Sequence, residues 1–454
     1  MAEPELIDAS DARERAIAAA AALQRRGLAP GDRAVLLVPG SGDYLAVVMG
    51  ALASGIIPVP LDPTLTPAER SPLLADADAA LVIDSPQTLH ALVGDTGSPS
   101  WDLSEVPRAR PMHYTSGTTG RPKGVYSGLL DDRSAQALLA DERDFWQIDS
   151  ADRHIVASPL HHSAPLRFSV TTLLSGGSVV LPGPFDAARW SAAVVEHRPT
   201  SAFVVPAHLS RLLQAGMPAT DSFRLLAHAG AACPDTVKQR TLEAFPPGSV
   251  WEFYGSTEGQ FTACRGEEWV ARPGTVGRPR PGRRLFVDDG GRLWCSALPF
   301  ARFSYWRDPQ RTAAVTDGDA FTVGDLGRID EDGFVYLDGR REDLVISGGV
   351  NVYPAEVESA LVELPGVREA AVFGVPDDRW GQRVCAAVVG DVTESALVDW
   401  AARRLAPAKR PKRYVLVDEL PRTTTGKVRR LDIAARLDPD ARPTTPGTDT
   451  EASR

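Results

Sequence analysis

Short apolar runs alternate with segments of helical periodicity through most of the chain. That rhythm restricts it to layered α/β folds. Residues 33–38 read as a strand, 43–53 as a helix and 56–60 as a strand. The pattern returns at 178–181, 202–205, 225–227 and 250–254 as strands, with helices at 187–197 and 234–244 between them. Strands that alternate with helices need crossover connections, so they predict parallel pairing with helices covering the sheet. The 454 residues, 43% of them hydrophobic and 24% charged, suffice for a large core and for two or more domains.

The texture changes after Arg340. A helix near 355–361, strands near 370–374 and 383–389, a helix near 394–404 and a strand near 414–417 predict a small separate α+β domain. The tail from Asp438 is rich in Pro, Thr and Asp and is expected to be disordered. The predicted organisation is a large domain over 1–340, a small one over 341–437 and a tail over 438–454.

The formal charge of -10 disfavours nucleic acid as a partner, so any bound phosphate must be met by local positive charge. The four cysteines, Cys233, Cys264, Cys295 and Cys385, form no CxxC pair and have no histidines at zinc spacing, which fits a reducing, cytoplasmic setting. Residues 44–61 carry no charge. Pro58, Pro60 and the Ser54-Gly55 break nevertheless argue for a buried helix and strand, not a membrane span.

The segment Tyr114-Thr-Ser-Gly-Thr-Thr-Gly-Arg-Pro-Lys-Gly-Val125 concentrates glycines, hydroxyls and one lysine. Glycines admit close backbone approach. Exposed N–H groups and hydroxyls can wrap phosphate oxygens, and Lys123 supplies charge. The GxxxxGK[ST] order of a Walker loop is absent. Four further runs follow in order: Phe253-Tyr-Gly-Ser-Thr-Glu-Gly259, Gly324-Asp-Leu-Gly-Arg-Ile-Asp330, Gly339-Arg-Arg-Glu-Asp-Leu-Val-Ile-Ser-Gly-Gly-Val-Asn-Val-Tyr-Pro354 and Pro421-Arg-Thr-Thr-Thr-Gly-Lys-Val-Arg-Arg430. Together they resemble the signatures of the adenylate-forming superfamily, which includes acyl- and aryl-CoA synthetases, luciferases and peptide-synthetase adenylation domains.

The resemblance implies a large layered α/β domain, a small mobile α+β domain, and activation of a carboxylic acid with ATP and Mg²⁺. By it, Thr115, Ser116, Gly117, Thr118, Thr119 and Lys123 cradle phosphates. Tyr254 and Gly255, with the backbone of Gly230, Ala231 and Ala232, hold adenine, and Glu252 accepts from its amino group. Thr257 bonds the α-phosphate and Glu258 holds Mg²⁺, a metal that takes one or two carboxylates plus phosphate oxygens and water. Asp325 accepts the ribose hydroxyls and Arg340 supports the nucleotide. Lys427 stabilises the negative charge that gathers as the acid attacks the α-phosphate.

In such enzymes the small domain rotates between the two half-reactions, here about Glu342, where the family carries Asp or Lys. The turn Ser347-Gly348-Gly349 then meets the pantetheine arm of coenzyme A. The basic run Arg403, Arg404, Lys409, Arg410, Lys412 and Arg413 would meet CoA phosphates or an acidic acyl carrier protein. His161 and His162, in Pro159-Leu-His-His-Ser-Ala-Pro165, fall where the family lines its acid site, and His162 would face the carboxylate. Ala229, Gly230, Ser256 and Gly259 would form other walls. These segments hold no cation for a second carboxylate, so an apolar monocarboxylic acid is expected, whether fatty, aromatic or polycyclic. The reading that follows is an AMP-forming acid–CoA ligase. Its alternatives are an acyl-AMP ligase that loads a carrier protein and a non-catalytic binding relative. The chain also begins almost directly at its first helix, so early strands of the family pattern are expected to be missing.

Overall fold

A computed structural model describes residues 4–115, 123–340, 343, 345–347, 350–377, 381–405, 407, 409–422 and 428–437. Among the site residues expected from sequence, Ser116, Gly117, Thr118, Thr119, Glu342, Gly348, Gly349 and Lys427 lie outside these, as does the tail from Asp438.

The chain forms two compact units. The first comprises Met1–Val323 with Arg328–Tyr336, and the second Gly324–Gly327 with Leu337–Arg454. The first is built on an eight-stranded sheet in the order Glu5–Asp8, Ser178–Leu181, Arg153–Val156, Ser201–Val204, Leu225–His228, Val250–Gly255, Gln260–Arg265, Arg278–Pro279. The five strands from Ser178–Leu181 to Val250–Gly255 run parallel, as the alternation predicts. The outer strands are antiparallel. The helix Ala187–His197 matches its sequence reading residue for residue, and 234–244 becomes Asp235–Ala244. Glu5–Asp8 corrects one expectation. A strand does precede the first helix, and it closes one sheet edge against Ser178–Leu181.

The uncharged stretch 44–61 folds as the buried helix Gly42–Ala53 and the strand Ile57–Pro60. Among the described residues that strand pairs with Arg33–Leu36, at the edge of a three-stranded parallel sheet. An edge is where Pro58 and Pro60, which cannot donate to a second ladder, are tolerated. The alanine-rich helix Ala9–Arg25 crosses Gly42–Ala53 closely, because a Cβ at Gly50 would strike the carbonyl of Ala16. Among the described residues no helix is long and apolar enough to cross a membrane.

A second close approach lies at Gly277, where φ is +88° and a Cβ would collide with the carbonyl of Ala263. Both the left-handed backbone and the contact exclude a side chain. Gly277→Ala is therefore expected to lower stability by roughly 1–3 kcal/mol, read as a reduced denaturation midpoint. An unchanged midpoint would show that the backbone relaxes freely there.

The second unit carries the predicted α+β elements. These are the helices Pro354–Val362 and Glu394–Arg404, and a sheet in which Val367–Asp377 pairs antiparallel with Gly381–Gly390 and Arg413–Leu416 adds parallel. Its core is Val345, Val352, Val357, Leu361, Val372, Val384, Val388 and Leu397.

Candidate active site

The strands His113–Thr115 and Lys123–Tyr126 pair antiparallel, with Thr115 opposite Lys123. The two ends of the phosphate-loop motif are thus paired strands, and residues 116–122 between them lie outside the described residues. Ser304–Tyr305 adds to the free edge, opposite Val125 and Tyr126. This third strand, 182 residues away in sequence, delivers the Tyr305 hydroxyl 2.7 Å from Lys123 Nζ. The ammonium also lies over the Tyr305 ring, 4.2 Å from its centroid.

Glu258 completes the cluster. Lys123 Nζ stands 3.2 Å from its Oε1, and the Tyr305 hydroxyl donates to the same oxygen at 3.0 Å. Glu258 is only 4% exposed. Burial alone would raise its pKa, but Lys123 and the Ser256 hydroxyl outweigh it, and the carboxyl is held below the usual range. An ionised, buried carboxylate beside a phosphate-loop lysine suits a site that receives a divalent cation together with phosphate oxygens. A single buried carboxylate fits Mg²⁺, which takes one or two carboxylates and relies on substrate phosphates and water for most of its shell. Thr115 Oγ1 is buried with no hydrogen-bond partner among the described residues, leaving it available to a phosphate oxygen.

The other expected nucleotide residues cluster where parallel strands end. Ala229 is buried and Gly230, Ala231 and Ala232 are exposed just past Leu225–His228. Tyr254 and Gly255 close the neighbouring strand Val250–Gly255. Ligands commonly bind at such carboxyl ends. The Tyr254 ring packs 4.8 Å from Phe261. Glu252 is buried against Lys238, whose ammonium it accepts from. Burial raises the Glu252 pKa and Lys238 opposes the shift. Lys238 also lies 4.7 Å over Trp269. Nothing in the local sequence marked Lys238, because a lysine on a short helix ordinarily faces water.

His162 stands at the N-cap of the helix Ser163–Leu174, and its ring meets that of His161 edge-on at 4.2 Å. Burial lowers the His161 pKa against the opposing pull of Asp62, whose Oδ2 lies 3.9 Å from Nε2. A pocket enclosing about 730 Å³ of empty space, open solvent included, lies nearby. His113, Ser163 and Thr257 line it, but His161, His162, Ala229, Gly230, Ser256 and Gly259 do not. Its walls come instead from the helices Asp132–Trp146 and Ser163–Leu174 and from the chain leading into the strand His113–Thr115, elements that local motif reading did not join.

Arg110 and Arg167 both line this cavity. Neither lies in the segments whose neutrality underlies the expectation of an apolar monocarboxylate. The cations come from segments outside the motifs and reach the site only through folding. Among the described residues Arg110 donates to neutral acceptors: Ser127 Oγ at 3.1 Å, the Ala301 carbonyl at 3.3 Å and the Thr257 carbonyl at 3.4 Å. Burial, and then the charge of Arg167, push its pKa down to about 10.

In the second unit Asp325 is buried and Arg340 ends the strand Val335–Arg340. Ser347 is buried at the end of Val345–Ser347. The basic run is partly neutralised. Lys409 pairs with Glu356 at 2.6 Å and Arg404 with Glu363 at 3.0 Å, while Lys412 donates to the Pro407 carbonyl at 2.8 Å. All four cysteines are free thiols.

Comparison with known proteins agrees with this geometry. Residues 7–294 match the AMP-binding enzyme family and 356–427 its C-terminal domain. The chain is 32% identical over 447 residues to the long-chain-fatty-acid–CoA ligase FadD13 of Mycobacterium tuberculosis, covering 88% of this chain and 87% of that one. It is 33% identical over 466 residues to the fatty acid–[acyl-carrier-protein] ligase ScoC of Streptomyces coeruleorubidus, covering 92% and 89%. The solved structure of o-succinylbenzoate coenzyme A synthetase from Bacillus subtilis with ATP and magnesium superposes with a TM-score of 0.81 at 27% identity, over 92% of each chain. With this extent of match to both domain models and to full-length relatives, the chain belongs to the AMP-binding enzyme family.

Proposed function

We propose that this protein is an AMP-forming acid–CoA ligase: it activates a carboxylic acid with ATP and passes the acyl group to coenzyme A. The Lys123–Tyr305–Glu258 cluster carries the reading, because it places a phosphate-binding cation and a buried carboxylate within 3.2 Å at the paired ends of the phosphate-loop motif. ATP would lie along 115–119 and Lys123, its adenine between Tyr254 and the 230–232 backbone, its ribose on Asp325, with Gly255, Glu252 and Arg340 in support. Glu258 would hold Mg²⁺, which supplies charge neutralisation at the phosphates. Thr257 orients the α-phosphate and His162 the acid. The acid's oxygen then forms a bond to the α-phosphorus while pyrophosphate leaves.

Lys427 stabilises the charge that develops in this step. The domain beyond Glu342 then turns so that Ser347, Gly348 and Gly349 guide pantetheine, with Lys409 and Lys412 toward the CoA phosphates. The CoA thiolate attacks the acyl carbonyl, and AMP leaves. We place the reaction in the cytoplasm, in keeping with the free thiols. The likeness to ScoC favours one second reading, transfer to a carrier protein in place of CoA.

Pyrophosphate release across a panel of acids, followed by thioester detection with CoA and with carrier protein, tests both readings. Acid-dependent pyrophosphate with a CoA thioester supports the first. A thioester on carrier protein alone supports the second, and no pyrophosphate with any acid leaves only a binding relative. Lys427→Ala is expected to slow pyrophosphate release by about 10²–10³-fold, as loss of one oxyanion donor does, while thioester formation from supplied acyl-adenylate persists. Equal loss in both half-reactions would remove Lys427 from its assigned step.

A further inference from the structure

The cavity beside Thr257 combines aliphatic walls with two arginines that lack full compensation. Leu138, Leu139, Leu166, Val170 and Leu174 supply apolar surface. Arg167 Nε donates to Glu142 at 3.1 Å, but its Nη2 is buried with no hydrogen-bond partner among the described residues. Glu142 must also serve Arg280, 3.3 Å away, and it accepts from Gln260 as well. Among the described residues Arg110 donates to no carboxylate, and Glu142 and Glu258 act on it by charge alone.

A guanidinium taken out of water costs several kcal/mol unless it is paired and hydrogen-bonded. An apolar acyl chain would offer neither group a hydrogen-bond partner. A carboxylate on the substrate would satisfy them through charge-assisted bonds, which are shorter and about twice as strong as neutral ones. We propose that the acid substrate carries a second carboxylate at the end of its apolar body, and that Arg110 and Arg167 select it. The enzyme is on this account a ligase for dicarboxylic acids that activates one end and holds the other. This inference rests on the ligase reading above and narrows its substrate class.

Suberate against octanoate, adipate against hexanoate and phthalate against benzoate test it in the pyrophosphate assay with the full-length enzyme. The wild type is expected to prefer the dicarboxylate of at least one pair by about 30-fold or more in kcat/KM, the scale on which one partner of a buried charge pair matters. In Arg167→Met that ratio is expected to collapse toward unity, and Arg167→Lys should recover part of it. Faster turnover of the monocarboxylate in every pair by the wild type would overturn the inference alone and leave the ligase intact. So would an Arg167→Met variant that loses both substrates of a pair equally, because that is the signature of a merely structural arginine. If Arg167→Met does not fold, the wild-type ratios and Arg167→Lys decide. Pyrophosphate from none of the acids would overturn the ligase reading itself, and this inference with it.

Discussion

Glu142→Gln is expected to lower the unfolding free energy by about 3–5 kcal/mol, the cost of breaking a buried ion pair from one side. Glu142 is 6% exposed and stands between Arg167 at 3.1 Å and Arg280 at 3.3 Å, while Arg280 is itself 1% exposed. Asp141 is the neighbouring acid, bridging Arg280 at 3.3 Å and Arg283 at 2.7 Å. Without Glu142 the cluster holds Arg167, Arg280 and Arg283 against one carboxylate. Glutamine keeps the volume, so packing changes little and the electrostatic effect is isolated.

Burial alone would raise the Glu142 pKa, but the three arginines prevail and bring it from 4.5 to about 2. A folded-state pKa below the unfolded one stabilises above the unfolded value, and the contribution fades as pH falls through the folded value. The stability gap between wild type and Glu142→Gln should therefore be full at neutral pH and narrow between 4.5 and about 2. Denaturant titration measures it. A loss below about 1 kcal/mol, typical of an exposed pair, would mean that water screens the cluster.

The second large effect is sensitivity to mild acid. His113, His154 and His228 are 7%, 1% and 0% exposed. Burial, the first cause in each case, lowers them from 6.5 to about 3, about 4 and about 3. Neither ring nitrogen of His228 has a partner among the described residues, and His154 keeps one bond, to Ser201 Oγ at 3.1 Å. All three are neutral in the folded state near pH 5, while the unfolded chain binds up to three more protons. Stability is therefore whole above 6.5 and is lost as pH falls from there toward about 4 and below. These three should together contribute about 4 kcal/mol per pH unit to the slope around pH 5, and His208 and His161, also lowered by burial, add to it. His228→Asn should reduce that slope by about 1.4 kcal/mol per unit. Unfolding midpoints followed across this range check it, and a flat profile would show that these histidines gain protons without unfolding.

The parts of this protein legible from sequence are those carried by near neighbours. Side-chain periodicity sets whether a segment can bury one face as a helix or both faces as a strand. Ser178–Leu181, Ala187–His197 and Glu394–Arg404 thus stand where the sequence places them. Pro58 and Pro60 break a helix wherever they occur, so the uncharged stretch had to end as an edge strand. The composition of the loop between Tyr114 and Val125 was enough to expect phosphate there, because its glycines, hydroxyls and lysine are adjacent in the chain.

What remained hidden depends on partners far apart along it. Tyr305 reaches Lys123 across 182 residues, and Lys238, on the helix Asp235–Ala244, meets Glu252 within the strand Val250–Gly255. The same holds for Arg110 and Arg167, and with them for the expected acid. Read alone, the motif segments offer small neutral walls and suggest an apolar monocarboxylate. Folded, the cavity gathers two cations from outside those segments, beside one shared glutamate. Local sequence determined the elements, the family and the chemistry at the phosphate. Only the tertiary structure decided which buried charges go uncompensated, because compensation is a sum over groups that share space and not sequence.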